Sequence, residues 1–163
     1  MPTNTIIEPY TDVHKHEVAK LILAIQNTEF GIPITLDSQP DLNKIPQFYQ
    51  INRGNFWIAR MDNEMIGTIS LLDIGNHQGA LRKMFVHKNY RGREMGVGQK
   101  LLETLLEWAR EKSFTELFLG TTAHFVGAQK FYEKNGFRKI GKEQLPANFP
   151  IMEVDTVFYQ FSL

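Results

Sequence analysis

The sequence predicts a sheet domain of the α/β or α+β class, and two observations support this. Short stretches rich in β-branched and aromatic residues recur along the chain, and between them lie stretches whose apolar residues are spaced as on one face of a helix. With 163 residues, of which 42% are hydrophobic, the chain matches the size of one compact core. We therefore expect residues 1–163 to form a single domain.

The chain up to residue 86 is predicted to contain four strands and a helix. Residues 5–10 form the first strand, and a helix to about residue 27 follows, with an apolar face made of Val18, Leu21, Ile22 and Ile25. Residues 29–46 contain three prolines, so we expect irregular structure there, with room for a short helix within 42–51. The remaining strands are predicted at 56–61 and 65–72, as a hairpin, and at 80–86.

The rest of the chain is predicted to contain two helices and two strands. The first helix follows a glycine-rich stretch, and its apolar face is made of Val97, Leu101, Leu102, Leu105, Leu106 and Ala109. The second helix spans 126–135 and ends at Gly136, since glycine adopts the left-handed conformation that closes helices. The strands are predicted at 116–119 and 154–161.

Composition narrows the range of functions. Lysine plus arginine equals aspartate plus glutamate, at 18 each, so we expect no binding to nucleic acid or to an anionic membrane. Cysteine is absent, which excludes disulfides and a cysteine nucleophile, and the five histidines lack metal-ligand spacing, so we expect no metal. The N-terminus does not resemble a signal peptide and no long apolar run occurs, so we expect a soluble, cytoplasmic protein.

Residues 90–98, YRGREMGVG, bring glycines and arginines directly before a predicted helix. The first N–H groups of a helix lack intrahelical partners and carry positive potential, so they attract phosphate. Gly96 and Gly98 would let an anion approach the backbone closely. The side chains that can add donors there are Arg91, Arg93 and Lys100. The same pattern also fits a tight turn with solvated arginines.

Two motifs together resemble the GNAT superfamily of acetyl-CoA-dependent N-acetyltransferases. The first, Q/R-x-x-G-x-G/A at a strand-to-helix turn, is met by Arg93, Gly96 and Gly98. The second is an alanine, an aromatic residue followed by tyrosine, and a closing Gly-Phe. It is met by Ala128, Phe131, Tyr132, Gly136 and Phe137.

The resemblance implies a GNAT-like fold. Its central sheet is mixed and mostly antiparallel, has six to seven strands, and is flanked by about four helices. A V-shaped split separates the fourth and fifth strands, here the strand ending near Val86 and the strand 116–119. The pantetheine arm of acetyl-CoA, the cosubstrate that the resemblance implies, is expected in that split.

The resemblance also implies site residues. Those expected to bind the cofactor are Met84, Phe85, Val86, Arg91, Arg93, Glu94, Met95, Gly96, Val97, Gly98, Gln99, Lys100, Ala128, Phe131 and Tyr132. The backbone N–H of Phe85 is expected to polarise the acetyl carbonyl. Tyr132 is expected to protonate the departing CoA thiolate, because a phenol with a pKa near 10 is protonated at neutral pH. The alternative for Tyr132 is an ordinary helix tyrosine packed beside Phe131.

Two departures from the family pattern concern the same cofactor site. The loop before Gly96 is two residues longer than the common YRGxGxG form, so Arg91 and Arg93 compete for one role, and we expect both to line the phosphates. Many relatives carry asparagine three residues before the alanine, where this chain has Phe125. A polar contact to the cofactor is therefore in doubt.

The general base is less well defined by the sequence. Asp73, at the end of a predicted strand, is our candidate, with His77 or His87 as alternatives because histidine titrates near neutral pH. The acidic residues of the irregular segment can attract a cationic amine or simply cap turns; they are Glu29, Asp37 and Asp41.

The predicted function is transfer of an acetyl group from acetyl-CoA to a primary amine of a small molecule. Without cysteine there is no cysteinyl acyl-enzyme, so we expect direct attack in a ternary complex. The alternatives are an acetyltransferase acting on a protein N-terminus or lysine, and a non-catalytic acyl-CoA-binding sensor. By analogy with the family, the strand 154–161 offers an edge through which a homodimer could form.

Overall fold

The computed structural model describes residues 4–92 and 95–163, and its centre is a seven-stranded sheet in the order β1-β2-β3-β4-β5-β7-β6. All neighbouring strands are antiparallel except β4 and β5, which run parallel. The strands are β1 Thr5–Pro9, β2 Asn55–Met61, β3 Glu64–Gly75, β4 Gln78–Val86, β5 Glu116–Thr121, β6 Arg138–Ile140 and β7 Val157–Ser162. This is the mixed, mostly antiparallel sheet that the sequence predicts.

In the described part of the chain, four α-helices cover the sheet: α1 Lys15–Leu23, α2 Ile45–Phe48, α3 Val97–Glu111 and α4 Val126–Lys134. The first continues as a wider, π-type turn over Ala24–Glu29. α1 and α2 pack on one face of the sheet, and α3 and α4 pack on the other. Within residues 4–92 and 95–163, none of the helices has both the length and the apolar character that crossing a bilayer requires.

The α3 helix is fixed to the sheet by its apolar face. Leu101, Leu102 and Leu105 are fully buried against Trp57, Ile69 and their neighbours. Burying each leucine stabilises the fold by about 2 kcal/mol relative to exposure. Since α3 is held along its length, its first turn also has a fixed position at the edge of the sheet.

A β-bulge interrupts β4 at Lys83. Thr68 pairs with Phe85 and Ser70 with Arg82, so three steps along β4 match two along β3. Lys83 takes up the extra residue with a left-handed φ of 54°. The Thr68 hydroxyl donates to the Lys83 carbonyl at 2.7 Å and the Ser70 hydroxyl donates to the Arg82 carbonyl at 2.7 Å, so both carbonyls have partners despite the irregular ladder.

The bulge also changes which way two side chains point. In a regular strand, successive side chains point to opposite faces. Arg82 contacts the rings of Phe48 and Tyr49, and Lys83 contacts Gln39, so both lie on the α1 and α2 face. The extra residue thus brings two cationic side chains to the same face of the sheet.

β4 and β5 diverge after a short stretch of pairing. Gln78–Ala80 pair with Glu116–Phe118, while β5 pairs with β7 along its whole length. The remainder of β4, residues 81–86, has no strand partner on its β5 side within the described part of the chain. The V-shaped split implied by the family resemblance is therefore present between the fourth and fifth strands.

Three details of the C-terminal region differ from the sequence predictions. β6 was not predicted, since three residues are too short to carry an alternation pattern. β7 begins at Val157 rather than at residue 154, because Met152 and Asp155 form a turn closed by hydrogen bonds in both directions. The prediction that this strand offers a free edge is wrong, since β7 lies between β5 and β6.

Candidate active site

A cavity of about 1060 Å³ fills the split between β4 and β5 and is lined from both faces of the sheet. At one end, which we call the glycine end, it is lined by Gly92, Gly96, Gly98, Gln99 and Lys100. At the other, which we call the charged end, it is lined by Gln39, Arg82, Lys83 and Asp155. Apolar side chains form walls between and around these ends, among them Phe30, Phe125 and Phe149.

The unpaired edge of β4 presents two N–H groups to this cavity. The Lys83 carbonyl is turned toward β3, where it accepts from Thr68, so the Met84 N–H of the same planar peptide points the opposite way, into the split. The His87 N–H bonds to the Ile66 carbonyl on β3. By the alternation of a strand, the Val86 N–H then faces the split as well.

The same alternation turns the Phe85 N–H toward β3, where Phe85 pairs with Thr68. The Phe85 N–H therefore cannot polarise a carbonyl in the cavity, contrary to the sequence prediction. The N–H of the preceding residue, Met84, is the candidate for that role. The Phe85 ring does line the cavity, and it meets the ring of Phe125 edge-on.

The glycine end is formed by the first turn of α3. Gly96 has a left-handed φ of 66°, and a Cβ added there would meet nothing within 4 Å. A Cβ at Gly98 would lie 3.5 Å from the Met84 side chain. The side chains of Val97 and Met95 pack on the core, so these two residues can contact a ligand through their backbone N–H groups. The predicted contacts of Arg93 and Glu94 lie outside the described residues.

Arg91 lies at the cavity but is held by other groups. Its guanidinium forms a two-pronged ion pair with Glu29, and its Nε donates to the Val86 carbonyl at 2.8 Å. It also lies over the Phe30 ring, 5.7 Å from the centroid. An anion at the glycine end would have to compete with Glu29 for this side chain, so the role of Arg91 in phosphate binding stays a prediction.

The second motif reaches the cavity from α4. Ala128, Phe131 and Tyr132 all line it. Tyr132 is 5% exposed, and burial, with a smaller contribution from Tyr159, raises the pKa of its hydroxyl. The hydroxyl is therefore protonated at neutral pH. Gln99 Nε2 donates to Asn135 Oδ1 at 2.9 Å, which connects the first turn of α3 to the end of α4.

At the charged end, Lys83 is the centre of a buried polar network. Its Nζ donates to Gln39 Oε1 at 2.6 Å and lies 3.5 Å from Asp41 Oδ2. The Tyr49 hydroxyl donates to the same carboxylate oxygen at 2.6 Å. Burial lowers the pKa of Lys83 to about 8, although Asp41 opposes the shift. At neutral pH the lysine is thus mainly charged, with Asp41 as its counterion.

Arg82 and Asp155 complete the charged end. Arg82 donates to the Met152 sulfur at 2.9 Å, and the N–H of the same methionine donates to Asp155 Oδ2 at 2.9 Å. Burial raises the pKa of the Asp155 carboxyl, although that hydrogen bond and two nearby cations oppose the shift. Among the described residues that line the cavity, Asp155 is the sole carboxylate and histidine does not occur.

The structure does not bring the predicted base to the cavity. Asp73 accepts from the N–H groups of Arg53 and Gly75, where it caps turns. It lies at the end of β3 away from the split, about 17 Å along the strand from the residue that pairs with Phe85. Asp73 is therefore not at a position from which it can act on an acceptor in this cavity.

The other proposed acids and bases have structural partners or lie at the surface. His77 bonds to Arg53 and to the Ser113 carbonyl in a turn, and His87 accepts from the Asn89 N–H. Asp37 is exposed. Across the part of the chain that the structure describes, no three side chains of the metal-binding types lie close enough together to hold an ion.

Sequence reasoning missed Arg82, Lys83 and Asp155. The left-handed residue of the bulge is a lysine, not a glycine, so residue type gives no signal of it. For Asp155 the sequence pattern predicts a strand instead of a loop. The irregular, proline-containing stretch before it was the available signal that a loop, and hence a possible site residue, lay there.

Comparison with known proteins identifies the family. The model of the acetyltransferase (GNAT) family matches residues 20–137. A crystal structure of a GNAT-family acetyltransferase from Staphylococcus aureus is 40% identical, with a TM-score of 0.94 over 97% of this chain and 98% of that one. An acetyltransferase from Streptococcus agalactiae is 31% identical, with a TM-score of 0.92 over 98% of both chains. The predicted resemblance and fold are confirmed.

Curated relatives match over part of their length. The N-acetylaspartate synthetase of Xenopus tropicalis is 34% identical over 105 residues, which are 62% of this chain and 37% of that protein. N-acetyltransferase 8F1 of Rattus norvegicus is 28% identical over 122 residues, 72% of this chain and 54% of that protein. This chain thus spans about half or less of the length of these two relatives.

The lowered pKa of Lys83 predicts a pH dependence of stability. Between pH 8 and pH 10.5 the unfolded chain holds this proton more tightly than the folded chain does, so the free energy of unfolding should rise with pH across that window. The expected rise is about 2–3 kcal/mol. Lys83→Met should lack it, as urea unfolding at both ends of the window would show.

Lys88→Met, at an exposed lysine, is the matched control and should keep the wild-type slope. Ionisation of the tyrosines outside the Lys83 network affects all three proteins alike and cancels in the comparison. Equal slopes for wild type and Lys83→Met would contradict the account of a buried, charged lysine.

Proposed function

The chain belongs to the acetyltransferase (GNAT) family, and on this basis we propose that it transfers the acetyl group of acetyl-CoA to the primary amine of a small molecule. The transfer occurs by direct attack of the amine on the thioester in a ternary complex. The observation that carries this proposal is the unpaired edge of β4 beside a cavity that ends at a helix N-terminus.

The unpaired edge of β4 suits the pantetheine arm. Backbone N–H groups at a buried strand edge need acceptors, and Met84 and Val86 direct theirs into the split. The arm carries two amides, so it can lie between β4 and β5 as a substitute strand. This accounts for a split in an otherwise continuous sheet.

The pyrophosphate of CoA is proposed to bind at the glycine end. The free N–H groups of the first turn of α3 and the positive end of the helix dipole favour an anion there. Gly96 and Gly98 leave room for it, and Lys100 lines the same end. The separation between this end and the charged end then directs the thioester toward Met84 and the acceptor.

Each chemical role has a candidate group at the cavity. The Met84 N–H would stabilise the oxyanion that forms when the amine nitrogen attacks the acetyl carbon. Asp155 would take the proton that the amine loses, and its raised pKa improves it as a base. When the C–S bond breaks, Tyr132 would donate its proton to the sulfur.

A compact acceptor fits the enclosure of the charged end. Segments of the α1–α2 region, including Phe30 and Gln39, and of the β6–β7 loop, including Phe149 and Asp155, line it together. Lining by two facing segments favours a small acceptor over an extended protein chain. One relative is named for making N-acetylaspartate, a small molecule, and this agrees with the choice of acceptor.

Binding of acetyl-CoA at the glycine end predicts a charge-specific effect at Gly96. Gly96→Asp and Gly96→Asn are nearly identical in shape, and both residues tolerate the left-handed conformation there. Acetyl-CoA at roughly 100 times its Kd should raise the melting temperature of the natural protein by about 5–10 °C. The aspartate variant should lose most of this shift and the asparagine variant should keep most of it.

Differential scanning fluorimetry with and without acetyl-CoA measures these shifts. If the two variants lose the shift equally, the effect is steric and the phosphates do not lie beside Gly96. If acetyl-CoA does not shift the natural protein, the proposed function fails, and the non-catalytic acyl-CoA sensor fails with it.

A second prediction concerns the proton donor. Tyr132→Phe keeps the ring in its buried position but removes the hydroxyl, so kcat should fall by about 10²–10³-fold while acetyl-CoA still raises the melting temperature. Tyr90→Phe, whose hydroxyl bonds to Glu64 away from the cavity, is the matched control and should keep wild-type kcat. Unchanged kcat in Tyr132→Phe would leave Tyr132 as a packing residue and favour another proton donor.

The third prediction concerns the base. Asp155→Asn should lower kcat/KM by about 10²–10⁴-fold near neutral pH. In the natural enzyme, activity should be lost as pH falls through the raised pKa of Asp155, because the protonated carboxyl cannot accept a proton. This limb should be absent in the variant, whereas the surface variant Asp37→Asn should retain it. If Asp155→Asn showed the same pH dependence of activity as the natural enzyme, the role of Asp155 as the base would be contradicted.

A further inference from the structure

Arg82 is a mostly buried cation with few protein hydrogen-bond acceptors around it. Its side chain is 10% exposed and lines the cavity. Its guanidinium donates a hydrogen bond to the Met152 thioether, which is a weak acceptor. The nearest carboxylate oxygen, on Asp41, is 4.0 Å away. A guanidinium has five N–H donors, so most of these donors have no protein acceptor among the described residues.

The aromatic rings around Arg82 do not remove this deficit. Phe48 and Tyr49 lie 5.5 and 5.8 Å from its central carbon, and such contacts satisfy the face of the guanidinium. Its N–H groups point outward in the plane of the group and need oxygen acceptors. Among the described residues, no Arg82 nitrogen is both fully buried and without a partner, so its remaining donors open to the cavity, where a carboxylate can take the place of water.

The neighbouring charges leave Arg82 as the group available for that ligand. Lys83 and Tyr49 both contact Asp41, so that carboxylate is already committed. Asp155 accepts from the N–H of Met152, the same methionine whose sulfur Arg82 contacts. A cation and a carboxylate thus bond to two different atoms of one residue, and both line the same cavity.

We infer that the acceptor is a zwitterion, an α-amino acid whose carboxylate binds Arg82 and whose amino group faces Asp155. This inference rests on the proposed function, since it names the substrate class of the same site. Guanidinium and carboxylate pair through two parallel hydrogen bonds, which fixes the orientation of the acceptor as well as its position. The ammonium beside Asp155 keeps the charged end neutral overall.

The reaction leaves the acceptor carboxylate unchanged. The ammonium first gives one proton to Asp155, and the neutral nitrogen then forms a bond to the acetyl carbon. As the C–S bond breaks, the CoA sulfur takes a proton from Tyr132. The second proton that the nitrogen loses restores the Tyr132 hydroxyl, and the proton on Asp155 passes to solvent. The product is an N-acetylamino acid, and it has lost the positive charge that faced Asp155. That loss weakens its binding and favours its release.

The walls of the cavity indicate an apolar side chain on this amino acid. Phe30, Phe125 and Phe149 line the cavity together with Ile25 and Ile34. Burying an apolar side chain there adds affinity in proportion to the area removed from water. An amino acid such as phenylalanine therefore meets both requirements, a carboxylate for Arg82 and an apolar side chain for the walls.

The test compares acceptors that differ in the carboxylate alone. L-phenylalanine, L-phenylalaninamide and phenethylamine form one series, and glycine, glycinamide and methylamine form another. Thiol release from acetyl-CoA gives kcat/KM for each compound. In the phenylalanine series, kcat/KM for the acid should exceed kcat/KM for each of the two analogues without a carboxylate by about 10–100-fold. The amide has the less basic amine and more of it is uncharged, so a preference for the acid must come from the site.

Arg82 variants assign the preference to this residue. Arg82→Met should reduce the ratio of kcat/KM for acid over amide to within a few-fold of one, mainly through KM for the acid. Arg82→Lys, which keeps the charge but not the planar fork, should retain part of the preference. Arg138→Met is the control, because Arg138 is exposed and bonds to Gln160 away from the cavity, and it should keep the full ratio.

Two results would overturn the inference and leave the proposed function intact. In one, the amide or the simple amine reacts as well as the acid. In the other, Arg82→Met keeps the preference for the acid. If none of the six compounds reacts, the amino-acid class is wrong, and the acetyl-CoA melting shift then decides separately whether the acetyltransferase site stands.

Discussion

The divergence of β4 from β5 is the constraint on which the rest of the site depends. These strands pair through three residues each and then separate, so the following stretch of β4 has no neighbour on that side within the described chain. Thr68 and Ser70 hold the bulge that directs the Met84 N–H into the opening. The leucine face of α3 fixes a helix N-terminus at its edge. The cavity therefore results from strand pairing that stops early, in a sheet that is otherwise continuous.

Charge is distributed unevenly along this opening. At the glycine end the positive potential comes from backbone N–H groups, which need no desolvated side chain. At the charged end it comes from the side chains of Arg82, which is mostly buried, and Lys83, which is buried with Asp41 as its counterion. Arg82 and Lys83 share one face because the bulge breaks the alternation of β4, so the irregular backbone that presents Met84 also assembles the charges.

Much of the fold was predictable, because it rests on local periodicity. The α3 face, the β2–β3 hairpin and the closing Gly136 each follow from residue spacing and type. The lining of the candidate cavity was predictable where a motif carries it, as with Gly96 and Tyr132. It was not predictable where the fold joins distant residues or departs from regular geometry. Glu29 pairs with Arg91, which is 62 positions away in the sequence. Lys83 adopts a left-handed φ although it is not a glycine. Asp73 does lie near the end of its strand, as predicted, but that end is away from the cavity.

The central claim is that the acyl donor completes the open edge of β4, and backbone amide NMR during an acetyl-CoA titration tests it most directly. The account predicts that the amide signals of Met84 and Val86 move downfield as new hydrogen bonds form. The signal of Phe85, already directed at β3, and that of Gly75, at the far end of the sheet, should move little. Saturable binding that leaves Met84 and Val86 unperturbed would contradict the claim, because the donor would then lie elsewhere.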